Sequence, residues 1–448
     1  MTINNYEYAE GIKERDKANN LHSWTAQGRL EPKVITKAEG IYYWDHTGKK
    51  YFDMSSQLVN VNIGHGNKKV IDAIKKQADK IPYIGPAHAI DVKSELAEKL
   101  LEIAPDNMGK VFFTIGGADA NENAIKMAKM YTGRDKILSR YRSYHGATYG
   151  AANLTGEPRR FPSEPGIPGF VKFFDPYLYR SPIEFTSEKE ASHYYLSQLK
   201  EQIIYEGRES VAAIFLETVT GSNGVIIPPD GYLQGVREIC DEFGILMVCD
   251  EVMAGFGRTG EWFACDNWDV APDMISFAKG ITCGYVPLGG VLVSKDIAGF
   301  FDETTLMCGL TYSGHPMGCA AGIATLEVYK EEGLFENSKL MGKVLGNELE
   351  KMKEKHPSVG DVRYIGLFSA IELVKDKDSR EPLVPYGQDP DKIMPEILSK
   401  LKVRGFSTYT HENIIIVAPP LIIQEDEIKE AMEIMDGVLN EVDEMIQA

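Results

Sequence analysis

The sequence predicts an α/β protein in which a large domain with a mostly parallel sheet is joined to a smaller α+β domain. Three observations carry this reading. The apolar runs Ile245–Cys249 and Met274–Ala278 each stop at a charged residue, Asp250 or Lys279, as buried strands of an α/β sheet do. Strand-like and helix-like stretches alternate as far as about residue 330. From Leu334 the pattern changes to long helices and a hairpin. The expected division is 1–65 as the N-terminal part of the small domain, 66–330 as the large domain, and 331–448 as the rest of the small domain. A chain of 448 residues is long enough for two cores.

Residues 1–35 are polar, with Trp24 as the one notable residue. Tyr42–Asp45, a turn at His46–Lys49, and Tyr51–Met54 read as a hairpin. Gly64-His65-Gly66 breaks the chain before a helix with Val70, Ile71, Ile74, Ala78 and Ile81 on one face. A second helix is expected at Ser94–Ile103, with Ser94 as its cap and Pro105 as its stop. Lys110–Thr114 reads as a strand that turns through Ile115-Gly116-Gly117-Ala118-Asp119 into the helix Ala120–Tyr131. Ile137–Ser139 is a short strand, and 163–195 is a long Pro- and aromatic-rich excursion. The strand Val211–Leu216 ends in Glu217, and the helix Tyr232–Phe243 leads into Ile245–Cys249. Beyond Lys279 come a strand at Gly289–Ser294 and a helix at Met317–Lys330. The tail holds a helix to Lys355, the hairpin Val359–Gly366 and Phe368–Val374, a helix at Ile393–Arg404, a strand at Ile414–Val417 and a last helix from about Glu425.

Composition excludes several classes. A formal net charge of −18 argues against nucleic-acid or anionic-membrane partners, which need a basic surface. No apolar stretch is long enough to cross a bilayer. The N-terminus lacks an apolar signal core, and the six cysteines lie singly without a CxxC pair. Both features point to reduced thiols in a cytoplasmic protein. The nine histidines show no ligand spacing, so no metal site is expected.

The chemistry concentrates between Asp250 and Lys279, which would face one crevice beyond the carboxyl ends of their strands. A buried lysine can form a Schiff base, and enzymes using pyridoxal 5′-phosphate (PLP) pair it with an acid at the pyridine nitrogen. Taken alone, the same two residues read more readily as a turn cap and a solvated lysine. The Gly116-Gly117 turn before a helix is an anion site in kind, though an ordinary tight turn reads the same way. It is not a P-loop, because GxxxxGK[ST] is absent.

Longer motifs decide between these readings. Asp250-Glu251-Val252, Gly255-Phe256-Gly257-Arg258-Thr259-Gly260, and Pro272-Asp273 leading to Ala278-Lys279-Gly280 resemble the signature of class III (ω-amino acid) aminotransferases. So does the spacing of 29 residues from Asp250 to Lys279. The resemblance extends over nearly the whole chain. It implies the fold-type-I architecture of PLP-dependent transferases, PLP as cofactor, and a homodimer, possible as half of a tetramer, whose active sites are shared between subunits. Lys279 is then the Schiff-base and proton-shuttling residue, and Asp250 the partner of the pyridinium. Gly116, Gly117 and Ala118 hold the phosphate, with Thr311 reaching it from the neighbouring subunit. Tyr144 and Val252 sandwich the ring, with His145 beside it, and Glu217 faces the phenolic edge. The family commonly has Ser-Gly-Ser-Glu-Ala where this chain has Gly-Gly-Ala-Asp-Ala at 116–120, so backbone N–H groups must do more of the phosphate binding.

The same resemblance frames the substrates as an amine donor and a 2-oxo acid acceptor. Many members place a switching Arg before the Ala-Pro-Pro segment, but Gly405–Val417 holds no Arg. That directs attention to Arg159 as the acid-group clamp, since a guanidinium fork suits oxyanions. Trp24 together with Thr155-Gly156-Glu157-Pro158-Arg159 resembles the taurine aminotransferases of the family. The expected reaction is taurine with 2-oxoglutarate, ahead of pyruvate, giving sulfoacetaldehyde and an L-amino acid. The alternatives are β-alanine, 4-aminobutyrate or another ω-amine as donor, or a PLP-dependent decarboxylase or aminomutase. A non-catalytic binding protein on the same scaffold would be expected to have lost Lys279 or Asp250.

Overall fold

Continuous apolar runs become strands buried on both faces. In the computed structural model, which describes residues 5–447, Val211–Glu217, Leu246–Asp250 and Met274–Phe277 lie side by side and parallel, every residue buried. Leu246 and Val248 join one apolar cluster, with Ala120, Ala124 and Phe215, whereas Met247 and Cys249 join the cluster on the opposite face. That alternation explains why the run shows no polar side. The sheet has seven strands in the order Met108–Thr114, Gly289–Ser294, Met274–Phe277, Leu246–Asp250, Val211–Glu217, Lys136–Arg140 and Phe170–Phe173. Gly289–Ser294 runs antiparallel to both neighbours.

The helix Gly117–Thr132 crosses one face of this sheet, over four of its central strands, and Gly133 closes the helix at φ +66°. On the other side Pro316–Glu331 packs against Lys68–Lys80 and Asp91–Ile103. The helix at Asp91 begins earlier than expected: Ile90 precedes it without a side-chain cap, and Ser94 lies inside it. The excursion at 163–195 is also less irregular than expected. It contributes the edge strand Phe170–Phe173 and the start of the helix Glu188–Glu206. The polar lead-in contains a helix, Asn5–Asn19, where no element was expected.

Two smaller sheets complete the chain. One is built on Val359–Ile365, Phe368–Asp376, Ile414–Val417 and Thr410–His411. The other joins Ile35–Glu39, Tyr42–Asp45 and Lys50–Asp53 to Phe406–Ser407, so the N-terminal hairpin pairs with a strand more than 350 residues later through Phe406 and Phe52. Arg258 ties these parts to the large sheet from a fully buried position. Its Nη1 donates to the carbonyls of Leu367 and Pro419, and its Nη2 to Ser56 Oγ and Asn62 Oδ1. Among the described residues no helix is long and apolar enough to cross a membrane.

Candidate active site

Strand register sets the first pair. Glu217 and Asp250 end adjacent parallel strands opposite each other, and Ser276 stands beside Asp250 on the next. Lys279 follows two residues beyond the strand Met274–Phe277, in a turn where its own φ is +46°. A side chain held in this left-handed region costs backbone energy, so the surrounding packing must impose it. Gly280 supplies that packing: a Cβ there would stand 2.8 Å from Phe256 Cβ and 2.9 Å from Asn62 Nδ2.

Asp250 is 4 % exposed and its carboxylate is held from three directions. Asn121 Nδ2 donates to Oδ2 at 2.8 Å, His145 Nδ1 donates to the same oxygen at 2.7 Å, and the Val252 N–H donates to Oδ1 at 3.0 Å. Asn121 also donates to the carbonyl of His145, which locks the two donors together. Glu217 is oriented by backbone donors instead, Tyr144 N–H on Oε1 at 2.9 Å and Gly221 N–H on Oε2 at 2.8 Å. Burial pushes the Glu217 carboxyl up, against His145 and those two N–H groups. Burial also pushes the Lys279 ammonium down to about 8. Asp250 and Glu217 work against that fall, and the charges of Arg159 and Arg258 deepen it.

The phosphate-cradle candidates sit at the opening of the helix Gly117–Thr132, whose first N–H groups have no partner within the helix. Gly117 lies against Val252: a Cβ on it would come within 2.8 Å of both Val252 methyls. Ala118 packs under Gly146, next to His145. An anion cradle, an oriented carboxylate and a desolvated amine around one space are the donor set PLP needs, so the residues present fit that cofactor.

Tyr144, Arg159 and Trp24 form the wall above. The Arg159 guanidinium lies 3.7 Å from the Tyr144 ring centre and 5.4 Å from that of Trp24, and the two rings meet edge to face at 6.3 Å. Arg159 Nε donates to Glu157 and Nη2 to Ser222 Oγ at 3.2 Å. Tyr409 and His411, on the segment that lacks an Arg, both feel the Arg159 charge. Burial, with that charge second, takes His411 down to about 4. Thr311 is not part of this group within one chain; it is exposed, and its carbonyl accepts from the Tyr83 hydroxyl at 2.9 Å.

Sequence reasoning missed Asn121, Glu157, Ser222, Tyr409 and His411. Asn121 sits one residue beyond a motif that was read, yet an Asn in a helix carries no mark of its distant carboxylate. Glu157 lay inside the quoted Thr155–Arg159 segment without an assigned role.

Comparison with known proteins points to one family. The family described as aminotransferase class-III matches residues 25–439. The chain is similar to the crystal structure of a taurine:2-oxoglutarate aminotransferase from Bifidobacterium kashiwanohense, in complex with PLP and glutamate. The identity is 50 %, over 97 % of this chain and 98 % of that one, with a TM-score of 0.95. It is 37 % identical to a probable aminotransferase of Mycobacterium tuberculosis, over 94 % of this chain and 92 % of the relative. It is 32 % identical to a taurine–pyruvate aminotransferase of Bilophila wadsworthia, over 96 % of this chain and 97 % of the relative.

Proposed function

The chain belongs to the class III aminotransferase family, an enzyme family that works with PLP, and from that premise we propose that it transfers the amino group of taurine to 2-oxoglutarate. The products are sulfoacetaldehyde and L-glutamate. Bound PLP supplies the electron sink for the carbon that loses a proton and carries the nitrogen between the two half-reactions. The residues of the chain do the rest. Lys279 Nζ anchors the cofactor and then moves the proton at the amine-bearing carbon. Its desolvation leaves a neutral fraction available near neutral pH, as a general base requires. Asn121, His145 and the Val252 N–H hold Asp250 and aim it, with acceptor capacity left on Oδ1 that a protonated ring nitrogen would use. The N–H groups of Gly116, Gly117 and Ala118 would take the phosphate, Val252 and Tyr144 would cover the ring, and Glu217 would stand at its phenolic edge. The exposed position of Thr311 suits a contact made across a homodimer, which we take as the working assembly.

One observation carries the substrate reading: a guanidinium lying over the Tyr144 ring and beside Trp24, within electrostatic reach of Lys279. Such a group offers directed donors to the oxygens of a sulfonate beside an aromatic wall. The deciding experiment follows the visible spectrum of the PLP-loaded enzyme with taurine and no acceptor. Loss of the lysine-bound absorbance, restored by 2-oxoglutarate and not by pyruvate, is the expected result. No response to taurine but bleaching by β-alanine or 4-aminobutyrate would discard the sulfonate donor. Arg159→Ala should raise the KM for taurine about 10–100-fold, the loss expected for a charge-assisted hydrogen bond. An unchanged KM removes Arg159 from the site.

A further inference from the structure

Arg159 is itself held, and the group that holds it is a carboxylate. Glu157 is 2 % exposed, and its Oε1 accepts from Arg159 Nε. Its Oε2 accepts the backbone N–H of Arg159 at 3.4 Å, capping the short turn Pro158–Ser163. A guanidinium has five N–H donors in a rigid fork. Glu157 takes the one on Nε, and Ser222 Oγ takes one on Nη2 at 3.2 Å. The ring of Tyr144 at 3.7 Å closes one face. What remains is the terminal edge, formed by Nη1 and the second Nη2 hydrogen. That edge is a bidentate donor pair of the kind oxyanions accept.

We propose that Glu157 is the positioning residue of the acid-group clamp: by fixing Nε it turns the free Nη1–Nη2 edge of Arg159 toward the substrate. The inference rests on the reading of Arg159 given above. The reason for a carboxylate is geometric and electrostatic together. A flexible arginine exposed at a cavity wall loses rotamer freedom when it binds a ligand, and a preset side chain has already lost it. A buried carboxylate beside it also balances the guanidinium charge. An acid group is then selected by directed hydrogen bonds rather than by net charge alone. The buried carboxylate needs the arginine as much as the arginine needs it, since an unpaired charge there is costly.

A turn cap alone predicts something different, and kinetics separates the two. The PLP-loaded enzyme is assayed with taurine and with propylamine, an amine of similar reach without an acid group. Glu157→Ala should raise the KM for taurine about tenfold while kcat stays within about twofold and propylamine is unaffected. Glu157→Gln keeps an acceptor for Nε and should stay within about threefold of the parent. Glu157→Asp, which withdraws the acceptor by one methylene, replaces the alanine variant if that one does not fold. The proposal falls if both amines are affected alike, if the Gln variant is as impaired as the Ala variant, or if neither changes. Arg159→Ala run in parallel tells the failures apart. If it raises the taurine KM while Glu157→Ala does not, only the positioning role is lost. If it too is silent, the clamp itself is wrong and the positioning role goes with it.

Discussion

Lys279 shows how one residue is tuned by what surrounds it. Burial takes its ammonium from the ordinary 10.5 down to about 8, even with Asp250 and Glu217 pulling the other way. Between those two values the unfolded chain holds a proton that the folded chain lacks, so this contribution to stability rises with pH through that window. The cofactor-free Lys279→Ala variant should therefore melt higher than the cofactor-free parent at about pH 7, with the gap closing by about pH 10. The same variant, mixed with PLP and taurine, should show neither the lysine-bound absorbance nor transamination; turnover at the parent rate would overturn the assignment of Lys279. Lys279 and Asp250 were legible in the sequence because each ends an apolar strand inside a long motif. Asn121 and Ser222 were not. Asn121 stands 129 positions before Asp250, and only the packing of the helix Gly117–Thr132 over the sheet brings its amide to the carboxylate.

At the scale of elements, that helix would serve two ends of the proposed cofactor. Its first turn has N–H groups without partners in the helix, and two positions beyond Asp119 it sends Asn121 to the Asp250 carboxylate. Helix and strand thus tie the Gly117 end of the helix to Asp250 through Asn121, the two places that would hold the phosphate and the ring nitrogen of PLP. Asn121→Ala should weaken PLP binding by about 10–100-fold through the loss of a hydrogen bond to a charged group. Titration of the cofactor-free protein with PLP measures this, and an unchanged dissociation constant would show that His145 and the Val252 N–H suffice to hold Asp250. The central strands were legible because both faces are buried and no polar residue interrupts them. The edge strand Phe170–Phe173 was hidden by Lys172, whose ammonium folds inward onto Ser139 Oγ at 2.7 Å and the Leu154 carbonyl at 2.8 Å. Desolvation there takes Lys172 down to about 7. A lysine in a short run reads as a surface loop, and nothing local reveals the carbonyls waiting for it. The helix Asn5–Asn19 was missed for the opposite reason: it is polar on most sides and buries little.

Across the whole molecule, Arg258 is the point where the sheets meet. It is fully buried, and all four of its acceptors are neutral: two carbonyls, a hydroxyl and an amide oxygen. Burial takes its guanidinium down to about 10, yet it stays charged at any physiological pH. Replacing it with Met leaves those acceptors without a donor in a dry interior, so Arg258→Met should cost about 3 kcal/mol or more. Chemical denaturation reads this directly, and a loss below about 1 kcal/mol would mean that water replaces the guanidinium. The motif containing Arg258 was legible as a family mark, but its partners were not, because residues 56, 62, 367 and 419 share no local pattern. Their separation has a consequence for biosynthesis. The ribosome makes Ser56 and Phe52 early, and their partners, the Ala418 carbonyl and Phe406, emerge more than 350 residues later. At ordinary elongation rates that delay is roughly 20–70 s. Throughout it the nascent chain carries an open strand edge on its first hairpin, and once Arg258 is made its guanidinium waits for the carbonyls of Leu367 and Pro419. The N-terminal hairpin can complete its sheet only after Phe406 and Ser407 have been made, and until then its edge is open to pairing with another chain.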